Sequence, residues 1–251
     1  MEDCPLNRFY SPAQCARYLD ALPRRYSCRA YASSPNAEQL AALNYAAARV
    51  CLPGTRIVIA DCAPNLFFSI PVVGGIRGTG KCAYVIADDA LPLPRTLAGI
   101  GGEAFVLEAA ALGVQTCWVT GTYRRGAVDV ALNAGERLAA LIALGIAAEP
   151  VEAPAHKRKP LAQICLSAPS EWPLWAYKAA DAVRQAPSAV NLQPWHLSYG
   201  QRTLRLLGKK ADSVDMGIAM LHMEAAVGDM RHTWMWGSDA CVAHLISEEE
   251  T

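Results

Sequence analysis

The sequence predicts an α+β fold with two similar halves in one chain. Strand-like and helix-like segments are mixed along it, with hairpin signals toward the C-terminal end. Two helices, near residues 97–112 and 213–228, are apolar nearly all round, as a helix buried on every side must be. Each is followed by a short strand and turn of similar composition. Hydrophobic residues make up 53% of the 251 positions and charged ones 18%, enough to bury a substantial core in one large domain or two small ones.

Taken in order, Ser11-Pro12 signals a helix start, with a capping side chain and Pro at the first helical position; the helix should stop at Pro23. Ser34-Pro35 repeats the signal, and Leu40, Leu43, Ala47 and Val50 then share one helical face until Leu52-Pro53-Gly54 ends the run. RIVIADC (56–62) and KCAYVIAD (81–88) are β-rich and read as strands. LAGIGGEAFVLEAAAL (97–112) is the first buried helix; Gly102 and Ala104 would admit another helix closely, and Gly113 closes it. TCWVTG reads as a short strand and turn, and RLAALIALGIA (137–147) as a further strand, though periodicity leaves helix open. A polar, Pro-rich connection follows from Pro150 to Pro160. Then come a helix from about Pro173 to Gln185, the loop APSAVNLQPW, a hairpin around Gly200-Gln201, the second apolar helix and a closing strand pair around Gly237-Ser238-Asp239.

Gly102, Ala104, Ala110 and Gly113 have counterparts at the same offsets in Gly217, Ala219, Ala225 and Gly228. Trp118-Val119-Thr120-Gly121 is matched, with one inserted residue, by Trp234-Met235-Trp236-Gly237. The pattern fits an internal duplication; it also fits two unrelated core helices, each followed by a strand.

Several function classes are excluded by composition. Lys plus Arg (23) balances Asp plus Glu (23), which argues against a nucleic-acid carrier or a polybasic membrane binder. MEDCPLNRF lacks the basic start and apolar run of a signal peptide, and no uninterrupted apolar span reaches ~20 residues, so a soluble, cytoplasmic protein is expected. The nine cysteines (Cys4, Cys15, Cys28, Cys51, Cys62, Cys82, Cys117, Cys165, Cys241) include no CxxC pair and read as buried reduced thiols. His222 and His232 lack HExxH spacing, and no metal site is expected.

Two stretches carry chemistry. In RRYSCRAY, Arg25, Ser27 and Arg29 alternate, which in an extended segment puts three donors on one side, suited to a phosphate. The competing reading is a solvated surface stretch. In APSAVNLQPW, Pro187 and Pro194 stiffen a loop whose Ser188, Asn191 and Gln193 can bond a flat polar heterocycle, or can simply make a structural turn.

Together these stretches resemble the FMN-dependent nitroreductase family. RRYSCRAY resembles its Arg-x-Ser-x-Arg phosphate motif with an aromatic two residues on, and APSAVNLQPWHL its Pro-Ser-x-x-Asn-x-Gln-Pro-Trp loop. GGEAFVLEAAALGVQTCWVTG resembles its central helix and the turn beneath the flavin, and HKRKPLAQI its late basic segment. The order departs from the usual one: the loop's ordinary slot, after Ala48, reads RVCLPGTRIVIA, and the loop comes after a helix in the second half. That arrangement is similar to the branch whose chains are two fused half-units, a pseudo-dimer.

The resemblance implies a nitroreductase-like fold of central, mostly antiparallel sheets flanked by helices. It also implies a first half over residues 1–165 and a second over 166–251, packed as one unit, as a monomeric pseudo-dimer or a homodimer. Arg25 and Ser27 would bind the FMN phosphate, helped by Arg158 and His156, and Arg29 would lie near the pyrimidine end of the ring. Pro187, Ser188 and Asn191 would contact the ring and ribityl chain. The Thr120 backbone N–H would point at flavin N5, and Gly121 would keep that approach open. NADH or NADPH would supply electrons, passed on to a nitroaromatic, quinone or similar conjugated acceptor, with no nucleic acid or membrane as partner. Alternatives on the same scaffold are dehydrogenation or flavin breakdown, or a non-enzymatic flavin-binding protein. One FMN per chain is expected. The second-half counterpart of the phosphate arm reads SAPSEWPLWAY, with no arginine and with Glu171 in its place.

Overall fold

The computed structural model describes residues 5–6, 8–71, 74–149 and 157–248. In chain order the elements are β1 (Pro5–Leu6), α1 (Pro12–Ala21), β2 (Tyr31–Ser33), α2 (Ala37–Val50), β3 (Thr55–Asp61), β4 (Lys81–Asp88), α3 (Pro94–Ala111) and β5 (Gln115–Val119). They continue as β6 (Glu136–Ala147), α4 (Leu161–Ile164), α5 (Leu174–Gln185), β7 (Trp195–Gly200), β8 (Thr203–Gly208), α6 (Val214–Ala226), β9 (His232–Trp236) and β10 (Cys241–Ser247). The strands form two antiparallel sheets, one ordered β1-β9-β10-β8-β7 and the other β2-β6-β4-β3, with β5 also paired to β6. Helices cover them, the α+β nitroreductase-like architecture expected.

The chain divides into two compact units, Ala21–Ala155 and a split unit of Met1–Asp20 with His156–Thr251. This differs from a sequential division at residue 165, and the reason lies at α1. A Cβ placed on Gly228 would sit 2.1 Å from the Cys15 Cβ, so α1 reaches the end of α6 only because Gly228 has no side chain. Just before α1, Arg8 donates to the carbonyls of Gly228 and Met230, and the Phe9 N–H donates to Glu224 Oε1 at 3.0 Å. Glu224 is itself buried; its Oε2 accepts from Trp234 Nε1 at 2.7 Å and meets His232 Nε2 at 2.8 Å. The strand β9 and the segment leading into α1 are thus fastened to one carboxylate on α6.

In the 21–155 unit α3 is the core. Leu93, in the left-handed region, and Pro94 start it. A Schellman arrangement ends it, with Gly113 at φ +73°, the Gly113 N–H on the Ala110 carbonyl and the Val114 N–H on the Ala109 carbonyl. Its contacts explain why it is apolar on every side: α2 lies against it, and so do β3, β4, β5 and β6. The small residues are used differently from expectation. Gly101 faces the end of α2, where a Cβ would lie 3.2 Å from the Val50 carbonyl, whereas Gly102 accommodates the Trp118 ring, 2.3 Å from a Cβ built there. A helix capped at Ser34 is also corrected: the cap is Asn36, whose side chain accepts from Gln39 N–H while Gln39 returns a bond to the Asn36 N–H. The β7–β8 turn sits one residue later than expected, on Gln201 and Arg202 at φ +53° and +57°, the sign a two-residue hairpin turn needs. Among the described residues no helix is long and apolar enough to cross a membrane, and the eight described cysteines are free thiols; Cys4 lies outside the described residues.

Two outcomes follow from the α6 end. Gly228→Ala should lower stability by about 1–3 kcal/mol, because the added methyl overlaps Cys15; a urea midpoint equal to that of the wild type would refute the close approach. His232 faces acceptors at both ring nitrogens, Glu224 and the Met230 carbonyl 3.0 Å away. Burial lowers its pKa, but the bonds to Glu224 and Met230 outweigh this and raise it above the ordinary 6.5. Its stabilising contribution is therefore fully present below about pH 6.5 and lost as pH rises through the raised folded value. The wild type should lose more stability between about pH 6 and pH 9 than His232→Gln does, measured by urea unfolding at each pH.

Candidate functional site

In the 21–155 unit, residues 25–29 run extended beside β5, with Ser27 bridged to Thr116 and the Cys28 N–H on the Thr116 carbonyl at 2.9 Å. The side chains alternate. Tyr26 and Cys28 turn into a core cluster with Tyr31, Cys117 and Ala143, which leaves Arg25, Ser27 and Arg29 for the other side. Tyr31, the aromatic of this motif, is structural: its hydroxyl donates to the Cys28 carbonyl at 2.8 Å, and its ring occupies the space that a side chain at Gly145 would need.

Arg29 is exposed and Ser27 half-buried, but Arg25 is only 6% exposed. Its Nε lies 3.8 Å from Glu103 Oε1, close enough for an ion pair but too far for a hydrogen bond, and has no hydrogen-bond partner. Burial pushes the Arg25 pKa below the ordinary guanidinium value, with Glu103 opposing the shift. Arg24, Arg25 and Tyr26 line a cavity of about 290 Å³ with Ala110, Ala111 and residues 113–116. Glu103, fully buried on α3, also accepts from Trp118 Nε1 at 2.7 Å. One carboxylate therefore ties the arginine of the phosphate-like motif to the strand leading into the Thr120–Gly121 turn. Sequence reading missed Glu103; its signal was a carboxylate inside the most apolar stretch of α3, between Gly102 and Ala104-Phe105-Val106-Leu107, where a buried carboxylate must have partners.

Thr120 and Gly121 are exposed at the end of β5, and a Cβ on Gly121 would meet nothing within 4 Å. The next residues are anchored by a segment the sequence did not single out. The Phe68 N–H bonds the Thr122 carbonyl at 3.1 Å and the Arg124 N–H the Leu66 carbonyl at 2.8 Å.

In the split unit the structure brings Arg158, Ser188 and Asn191 into one network. Arg158 Nη1 donates to Asn191 Oδ1 at 2.6 Å and Nη2 to the Gln185 carbonyl at 3.0 Å, while Asn191 Nδ2 donates to the Lys157 carbonyl at 2.9 Å. Ser188 Oγ accepts from the Gln193 N–H at 2.9 Å, and Gln193 Oε1 from the Lys159 N–H at 2.9 Å. Lys159 Nζ caps the Leu192 and Gln193 carbonyls. Pro187 is buried at the start of the loop. Val190, Asn191 and Gln193 all lie in the left-handed region, at φ +44°, +56° and +48°. A conformation of this kind costs about 1–3 kcal/mol per residue and persists only where neighbours impose it; here the 157–159 segment does so. Lys159 and Lys157 were not anticipated in this role. His156 lies outside the described residues. Among the described residues no cluster of side chains could hold a metal.

Against known proteins, the sequence model of the family described as "Putative TM nitroreductase" matches residues 18–227. The chain belongs to this family of nitroreductases. A crystal structure titled as a putative nitroreductase from Thermotoga maritima shares its fold, with a TM-score of 0.68 at 18% identity over 92% of this chain and 94% of that one. Smaller matches include a structure described as a putative nitroreductase in complex with FMN from Desulfovibrio desulfuricans (TM-score 0.47, 22% identity, 62% of this chain and 98% of that one). An FMN-dependent nitroreductase from Clostridium difficile also matches (TM-score 0.45, 19% identity, 55% of this chain and 92% of that one). None of the curated proteins compared with this chain matches it.

Removing Glu103's charge tests the buried network. Glu103→Gln leaves Arg25 buried without a counter-charge and should cost about 3–5 kcal/mol, whereas Arg25→Met combined with Glu103→Gln should recover most of that loss. Urea unfolding of these two variants and of Arg25→Met alone decides it; additive losses would mean the two side chains do not interact.

Proposed function

We propose that this chain binds FMN and is an oxidoreductase that takes electrons from NADH or NADPH and delivers them to a nitroaromatic, quinone or similar conjugated acceptor. The observation that carries the reading is Arg25: a buried guanidinium with an unfilled Nε donor beside a cavity, in the motif that the family resemblance assigns to a phosphate. A phosphate in the cavity would lie beside two arginines that line it, Arg24 and Arg25, and would offset part of the desolvation that lowers the Arg25 pKa. The residues of this chain thus suit the phosphate end of the cofactor.

Flavin chemistry, when the cofactor is bound, is two-electron transfer at its N5. In this reading Arg25 and Ser27 bind the phosphate, Arg158 adds positive charge to it, and Arg29 stabilises negative charge at the pyrimidine end. The backbone N–H of Thr120 would meet N5, and the absence of a side chain at Gly121 leaves that turn open to a flat ring. Pro187 and Ser188 shape the polar loop. Asn191, whose Oδ1 accepts from Arg158 and Gln193 and whose Nδ2 donates to the Lys157 carbonyl, sets the position of Arg158 and would offer its second amide N–H to the ligand. No side chain need act as acid or nucleophile, because these groups bind, orient and polarise. A cytoplasmic location fits the free thiols. The first-half stretch RVCLPG, which has no Ser, Asn or Gln where the family's loop ordinarily falls, favours the second reading, a flavin-binding protein without turnover.

The purified protein should carry FMN absorbance that bleaches with NADH or NADPH and returns with an acceptor; bound FMN that neither nucleotide reduces would favour the second reading. Full reconstitution should give one FMN per chain. Arg25→Ala, checked to be folded, should weaken FMN binding at least tenfold, as expected for loss of a charged contact contributing ~1.5–3 kcal/mol. An unchanged dissociation constant, or two FMN per chain, would refute the assignment.

A further inference from the structure

Two cysteines that the flavin reading leaves unused stand side by side at the end of β3. In the β3–β4 ladder Ala60 pairs with Cys82, and the ladder continues one step through the Cys62 N–H to the Gly80 carbonyl, 3.1 Å away. Cys62 and Cys82 are therefore diagonal neighbours on the same face. Cys82 Sγ lies 4.0 Å from the carbonyl of Asp61, the residue before Cys62. The contact between the thiols pushes Cys62 up and Cys82 down. Both pack with Leu66, Tyr84 and Val119; Cys82 is fully buried and Cys62 partly exposed.

Their position gives the pair a consequence. The segment that starts at Cys62 contains Leu66 and Phe68, whose backbones bond Arg124 and Thr122, just after the Thr120–Gly121 turn. We propose that Cys62 and Cys82 form a redox-responsive dithiol, which a hydroperoxide oxidises to a disulfide that fastens the 62–68 segment, and through it the 120–124 turn, to β4.

The chemistry balances with hydrogen peroxide as oxidant. Peroxide reaches Cys62, which is partly exposed, and the Cys62 sulfur attacks as its proton passes to the neighbouring Cys82 thiolate; an S–O bond forms as the O–O bond breaks, and the hydroxide that leaves takes a proton from solvent to become water. The Cys82 sulfur then attacks Cys62; the S–S bond forms, the S–O bond breaks, and a second water carries off the hydroxyl and the Cys82 proton. Two thiols lose two electrons, and one peroxide becomes two waters. Cys82 suits the closing step because its thiolate is the favoured one of the pair. Diagonal Cα positions lie about 7–8 Å apart, slightly beyond the ~6.8 Å reach of a disulfide. Cys62 lies one residue past the end of β3 and can close that gap.

The test uses the full chain without FMN. It is reduced, freed of reductant, treated with hydrogen peroxide, unfolded in the presence of N-ethylmaleimide and digested without reduction for mass mapping. A peptide joining Cys62 to Cys82, two hydrogens lighter, reversed by dithiothreitol and absent from Cys62→Ser, is the expected result. Amide exchange at 66–68 and 122–124 should slow several-fold on oxidation. Cys62 recovered as sulfinic acid without a link, both thiols recovered alkylated, or a link with unchanged exchange would each overturn the proposal. Only the significance of the turn rests on the flavin reading. Because the link and the exchange are read without cofactor, their failure is distinguishable from failure of FMN binding.

Discussion

A carboxylate with no access to water must be surrounded by donors, and Glu103 is such a group at the centre of α3. Much of the 21–155 unit follows from meeting that demand. Trp118 turns its indole N–H inward from β5, which requires bare space at Gly102. Arg25 is drawn out of solvent to supply the counter-charge, which holds the extended 25–29 stretch against β5. The guanidinium that results is paired by charge yet short of a hydrogen bond at its Nε.

The split unit reaches a comparable result with different groups. Glu224 on α6 gathers a tryptophan, a histidine and the backbone before α1, so a buried carboxylate again joins a central helix to its neighbours. The repeat noted in the sequence lies in the helices and the strands after them. The carboxylates do not share its register: Glu103 stands fifteen residues before its tryptophan and Glu224 ten before its own. In this unit the polar loop at 187–194 is held by lysine and arginine from 157–159. Its left-handed residues are imposed by those bonds, not by glycine. A loop held by so many bonds has few other conformations open to it.

Most elements were legible because local signals and tertiary demands agree. Pro12, Gly113 and Ser213 punctuate helices where the structure has them, and 81–88 is the apolar run of an interior strand; 137–147 is one too, though its Ala and Leu content left helix open in the sequence. Where two local signals competed, the structure took the better satisfied one: Asn36 outcompetes Ser34 because only Asn36 has Gln39 three residues on to return its bond. The site was legible in part. Arg25, Ser188 and Asn191 stood out by residue type and spacing and Arg158 only through the family resemblance, and the contact between Arg158 and Asn191 joins two segments 33 residues apart.

By itself the sequence determined the element order, the two apolar helices, the alternation of Arg25, Ser27 and Arg29, and the resemblance that names the family. These depend on periodicity and short motifs, which are properties of neighbours along the chain. Only the tertiary structure decided that α1 packs with the C-terminal portion, that Arg25 is buried against Glu103, and that Cys62 faces Cys82 across two strands. Each of these depends on which residues meet across long sequence separations, and burial, charge pairing and close packing are settled there.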